Sequence, residues 1–189
     1  MADNIQHWTE PRWVALYTNP RAEKKVAETF SKMGIENYLP LQRRLHKWSD
    51  RSKWVEVPLF PSYIFVKIVS NQVVATRNVN GVVCMVTFGP TRTIAFTPDK
   101  EIETLRIILK EEMDLVVHDL AQLRKGVKAR VLDGPLKGKE GIIVGDVKNG
   151  EFVVKVEALS AAVSVNVPVD MLQFVEEEDS KPKGIWIKK

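Results

Sequence analysis

The sequence predicts an α+β chain, with an antiparallel sheet packed with helices over residues 1–113 and a small all-β barrel over residues 124–175. Three observations carry this reading. Two stretches, Ala22 to Met33 and Ile102 to Leu109, place apolar residues at helical spacing among short strand-like runs. Between them, Pro58-Leu59-Phe60-Pro61-Ser62-Tyr63-Ile64-Phe65-Val66 brackets an aromatic residue with two prolines and continues as a buried strand. From Arg124 the chain turns to short valine-rich runs separated by glycine turns, the texture of a small barrel. Residues 114–123 lose periodicity and read as a linker, and 176–189 as a flexible charged tail.

Taken in order, residues 1–11 are a lead-in and Trp13 to Thr18 a short apolar strand. Asn19-Pro20 supplies an N-cap and a proline at the first helical position. The helix runs to Met33 on Ala22, Val26, Phe30 and Met33, with Gly34 just past its end and Arg21, Lys24, Lys25 and Lys32 on its other face. Ile35 to Leu45 is a strand bent at Pro40. Trp54 to Val57 returns from a polar turn at Ser49 to Lys53, giving a β-hairpin with a basic tip. Trp48 and Trp54 either stack on bases while Lys and Arg touch phosphates, or form a cross-strand pair. The central strand runs to Ile68. By burial ranking Phe60 and Tyr63 are core residues, the alternative being an exposed patch for a partner.

Asn71 caps a short helix through Val79. Gly81 to Val86 and Thr93 to Phe96 are strands about a Phe88-Gly89-Pro90 turn, and Thr97-Pro98-Asp99 opens the second long helix. The barrel strands are Val127 to Leu132, Gly141 to Lys148, Phe152 to Leu159 and Ala162 to Pro168. Beyond Glu176 only Ile185-Trp186-Ile187 is apolar enough to dock.

Composition narrows the function. The formal charge is +4, unevenly spread: Arg12 to Lys67 holds eleven Lys/Arg against five acids, and Asp99 to Asp119 seven acids against three bases. The first part therefore offers a basic patch able to approach phosphate. The sequence has no apolar run long enough to span a bilayer and no signal-peptide pattern at its start, so a cytoplasmic protein without membrane contact is expected. Cys84, in an apolar stretch, reads as a buried thiol. Gly134 to Glu140 fails as a phosphate loop, having three residues between its glycines and a glutamate where a magnesium-binding hydroxyl belongs. Histidines 7, 46 and 118 are scattered, Glu111 and Glu112 read as a solvated helix face, and no nucleophile motif is present. The expectation is no enzyme, no cofactor and no metal.

Several of these segments together carry a resemblance. Trp13 through Val26, Tyr38-Leu39-Pro40, Trp48-Ser49-Asp50-Arg51 and Pro58 through Val66 resemble the N-terminal domain of NusG-type transcription elongation factors. Asp133-Gly134-Pro135-Leu136-Lys137-Gly138-Lys139-Glu140-Gly141 resembles the KOW motif, marked by Asp133, Gly134, Pro135, Gly138 and Gly141, that opens their SH3-like barrel. The match spans about residues 12 to 175 and looks nearest to specialised paralogues of the RfaH and UpxY kind, the latter associated with surface-polysaccharide operons in gut anaerobes.

The resemblance implies an antitermination factor, expected as a monomer, that binds the clamp helices of the largest RNA polymerase subunit and suppresses pausing or termination. It assigns Phe60, Pro61 and Tyr63 to the polymerase surface, which makes exposure of the two rings the favoured expectation. It turns Arg21, Lys24, Lys25, Lys47, Arg51 and Lys53 toward non-template or upstream DNA and sets Thr76 and Arg77 near the far side of the cleft. Two departures stand out. Ser62 replaces a common glycine, tolerable at negative φ. Ala158-Leu159-Ser160-Ala161 stands where many members present a bulky apolar pair and Gly-Arg to a small-subunit ribosomal protein, which places ribosome coupling and Rho binding in question. The valine-rich strands favour a β state over a helical, autoinhibited one. The alternative is a ribosome- or RNA-binding KOW protein without polymerase contact.

Overall fold

The computed structural model describes residues 7–47, 52–123, 126–144 and 151–175. In β1 (Arg12–Thr18) the strand alternation divides Trp13, Ala15 and Tyr17 from Val14 and Leu16. α1 (Glu23–Lys32) and β2 (Asn37–Tyr38) follow, then the hairpin β3 (Leu41–Lys47) and β4 (Ser52–Pro58), and β5 (Tyr63–Ile68). A 3₁₀ turn at Ser70–Gln72 leads into α2 (Val73–Arg77), then β6 (Val82–Met85), the small ribbon β7 (Thr87–Phe88) and β8 (Thr93–Ile94), β9 (Phe96–Thr97) and α3 (Asp99–Lys110). The first sheet has the order β2-β5-β1-β6, with β9 pairing β1 beside β6, all antiparallel.

Its two faces bury different sets. Val14, Leu16, Ile64, Val66 and Ile68 pack with Val26 and Phe30 of α1 and Val73 of α2. Ala15, Phe65, Leu59 and Phe60 join Ile102, Leu105 and Ile108 of α3 in a cluster that continues into the C-terminal sheet.

That second sheet is antiparallel and six-stranded, in the order β10-β14-β13-β12-β11-β15. Its strands are β10 (Leu115–Asp119), β11 (Val127–Val131), β12 (Glu140–Val144), β13 (Glu151–Val156), β14 (Ala161–Asn166) and β15 (Leu172–Phe174). It buries Phe152, Val154 and Val156 of β13 with Val163 and Val165 of β14. Between β11 and β12 the Asp133–Lys139 turn inserts Leu136 into this core. Gly141 is required there, because a Cβ would come within 2.6 Å of the Phe152 ring.

Several boundaries differ from expectation. Arg21 takes φ of +66°, which a right-handed helix cannot continue. Asn19-Pro20 therefore forms a turn closed by the Ala22 N–H on the Asn19 carbonyl, and the helix begins at Glu23 rather than at Pro20. The strand expected over Ile35 to Leu45 divides at Pro40, whose carbonyl accepts the Leu59 N–H, so that β2 pairs β5 and β3 pairs only β4. Gln72, not Asn71, closes the turn before α2, accepting the Val69 N–H at 3.0 Å. The linker expected at 114–123 contains β10, since Leu115, Val116 and Val117 have the β propensity to satisfy the edge of β14. Cys84 is exposed, not buried, because its register partner on β1 is the exposed Tyr17. Trp48 and Arg51, the strand end at 145–148, and the tail at 176–189 with its apolar triplet lie outside the described residues.

Candidate functional site

The candidate surface is built at the bend between β4 and β5. Ser62 has φ of +65°, not the negative value expected of it, and this left-handed residue turns the chain from the Pro58–Pro61 segment into β5. The conformation is held from both sides. The Ser62 N–H donates to Oε1 of Glu23 at 2.8 Å, and its carbonyl accepts from the Thr18 N–H at 2.8 Å. Glu23 is itself buried in the first turn of α1, where the helix N-terminus favours a carboxylate.

The bend separates the two aromatic residues. Phe60 is 4% exposed and packs edge-on to Phe65 with centroids 6.5 Å apart, in the cluster shared with α3 and the C-terminal sheet. The expected exposure of Phe60 is therefore corrected in this conformation: the ring lies in apolar packing shared by both sheets. Tyr63 is half-buried and lies 5.3 Å from the ring of Tyr17, its register partner on β1. Burial, then Tyr17 and Cys84, push the Tyr63 phenol upward. Tyr17 was not singled out by the sequence, although the alternation of Trp13, Ala15 and Tyr17 already put it on the Phe65 face. Pro61 is exposed.

The basic residues gather beside this bend. A pocket of about 380 Å³ is lined by Pro20, Arg21, Glu23, Lys24, Pro58, Pro61 and Ser62, bringing together residues predicted separately for polymerase and for nucleic acid. Lys24 Nζ donates to the Glu56 carbonyl of β4 at 3.0 Å, which fixes α1 to the hairpin. Arg21, Lys25, Lys47 and Lys53 are exposed, and Lys53 faces His46 across the hairpin. Trp54, 57% exposed, has Leu45 as its register partner and the Arg43 guanidinium 5.6 Å from its ring. Arg43 also pairs with Glu112 at 2.8 Å, tying the hairpin to the end of α3.

At the other end of the sheet, Arg106 lies over Trp13 and Tyr38, 5.5 and 5.1 Å from their centroids. Burial pushes the Tyr38 phenol up to about 12 despite the Arg106 charge. Thr76 departs from expectation. It is fully buried on the inner side of α2 with Val73, its hydroxyl without a partner among the described residues, so it does not reach a cleft in this conformation. Arg77 is half-buried. Of the predicted loop at 158–161, Ala158 and Leu159 belong to a 3₁₀ turn, Glu157–Leu159, which lies against β1 and β9. No group of His, Cys, Asp and Glu among the described residues is placed to hold a metal. No helix among them is long and apolar enough to cross a membrane.

Among solved structures, the chain is similar to one described as domain interaction in Thermotoga maritima NusG, at 17% identity and a TM-score of 0.49, covering 88% of this chain and 98% of that one. It is also similar to a chain of the MjSpt4:Spt5 complex, at 18% identity and a TM-score of 0.29, covering 87% and 97%. No curated protein matches. The family described as transcription termination factor nusG matches residues 11–106, which hold β1 through most of α3 and every residue of the bend. With just over half of its length inside that match, the chain belongs to the NusG family of transcription factors.

Proposed function

We propose that this protein is an elongation and antitermination factor that binds the RNA polymerase clamp helices through the Tyr17–Tyr63 face of its first sheet. The single observation carrying this is the ring pair of the exposed Tyr17 and the half-buried Tyr63 beside the Pro61 bend, continuous with the apolar Phe60–Phe65 cluster and flanked by Arg21 and Lys24. Apolar packing supplies affinity and the basic hairpin steers the factor to nucleic acid. Phe60 joins the contact once the C-terminal sheet withdraws from the shared cluster. Arg21, Lys24, Lys25, Lys47, Arg51 and Lys53 face non-template or upstream DNA, with Arg77 at the far side of the cleft. The Asp133–Gly141 turn is a KOW motif, the factor acts in the cytoplasm, and its operons are of the surface-polysaccharide type. A ribosomal protein or Rho has to displace the turn at 157–159 before it reaches that loop.

The test is capture of RNA polymerase by the full chain and by a Tyr17→Ala, Tyr63→Ala double variant. Capture is expected to weaken by about tenfold or more, as for aromatic anchors at other interfaces. Undiminished capture overturns the surface, and capture of ribosomes in place of polymerase favours the KOW alternative. Transcription through a terminator, with and without the protein, reads the antitermination step.

A further inference from the structure

The contact between the two sheets has an unusual chemistry. α3 lies against β13, and the turn Glu157–Leu159 lies against β1 and β9, so the C-terminal sheet rests on the Ala15–Phe65 side of the first sheet. At this junction Glu101, in the first turn of α3, is half-buried, and its Oε2 has no hydrogen-bond partner among the described residues. Another carboxylate, the exposed Glu157, lines the same cavity. An acid buried against an acid opposes the contact that buries it unless one of the two carries a proton.

We propose that Glu101 and Glu157 act as a proton-operated catch, holding the C-terminal sheet over the first sheet while Glu101 is protonated and loosening it when Glu101 ionises. Of the two carboxylates Glu101 is the one withdrawn from water, so the proton resides on Glu101. Burial first, and then Glu157, push the Glu101 carboxyl up to about 7, with the Glu157 backbone amide and Lys100 pulling the other way. The remaining charged groups around the cavity, of about 470 Å³, are Lys128, Lys139, Lys155 and Glu140. Lys139 is bound to Glu103, and Glu140 to Arg130. The sign follows from the raised value. The proton's contribution to closure is fully present below the ordinary carboxylate range and is lost as pH climbs through about 7.

The consequence for polymerase rests on the function proposed above, because the catch governs access to the same sheet face; the catch itself does not. Small-angle scattering of the full chain at about pH 5.5 and about pH 8.5 tests it, with the closed-to-open ratio expected to fall by about tenfold or more across that range. Glu101→Gln, which keeps the shape of the protonated acid, is expected to stay compact at both. Glu157→Gln, altered on the exposed side, is expected to shift the midpoint down by about one pH unit. A wild-type profile that superimposes at the two values, or a Glu101→Gln chain that expands as the wild type does, overturns the catch. Polymerase capture reads the other question: expansion at high pH without polymerase binding sinks the surface and leaves the catch standing.

Discussion

Ser62 carries the bend on which the surface depends. A left-handed conformation costs an L-residue about 1–2 kcal/mol, and here the Glu23 carboxylate and the Thr18 N–H supply the hydrogen bonds that hold it. Ser62→Gly is therefore expected to raise the unfolding free energy by up to about 1 kcal/mol. Glu23→Ala, which orphans a buried N–H, is expected to lower it by about 1–3 kcal/mol. Urea denaturation measures both, and equal midpoints for the two variants and the wild type would show that the bend is held elsewhere. The proline bracket was readable from the sequence, but its backbone sign was not. Serine gives no local mark of positive φ, and its stabilising partner lies 39 residues away in the chain. Tyr17 was legible in principle from strand alternation, whereas Thr76 could not be separated from Arg77 until α2 showed which side it buries.

Of the elements, the β3–β4 hairpin is the one whose isolation from the main sheet gives it reach. Among the described residues it pairs with no other strand, and it is fixed at its base by Lys24 and by the Arg43–Glu112 pair. Its exposed cations add little to stability and much to phosphate attraction. Lys47→Ala and Lys53→Ala are each expected to lower the salt slope of duplex DNA affinity by about 0.9 and to leave stability within about 0.5 kcal/mol. A titration across salt concentrations checks this, and an unchanged slope removes the hairpin from the DNA contact. The hairpin was legible because Trp54 to Val57 alternates directly after a run of polar turn residues. β10 was not: Leu115-Val116-Val117 is a short apolar run among acids, and only the open edge of β14 decides that it pairs. His118 Nε2, 2.7 Å from Ser164 Oγ and 3.5 Å from Glu151, adds a side-chain tie to that ladder.

On the scale of the whole molecule, both sheets could be anticipated, but their apposition could not. Residues that meet between two sheets far apart in sequence share no period, so Phe60 reads as a surface residue by resemblance and a core residue by burial ranking. The packing supports the burial reading in this conformation, with the Phe60 ring sheltered by the chain's own second sheet. Lys139, in the turn between β11 and β12, pairs with Glu103 of α3 at 3.1 Å, with side chains 22% and 61% exposed. An ion pair this wet is worth about 0.2–1 kcal/mol, enough to bias closure by a few-fold and too little to unfold either unit when lost. Lys139→Glu sets two carboxylates against each other and is expected to expand the chain at a pH where the wild type is compact. Adding Glu103→Lys restores attraction with reversed polarity and should return the compact form, a coupling that neither single change supplies. Scattering and polymerase capture read the four chains together. If charge reversal leaves both unchanged, closure rests on the apolar contact alone; if the double reversal stays open, the lysine acts through its packing and not through its charge.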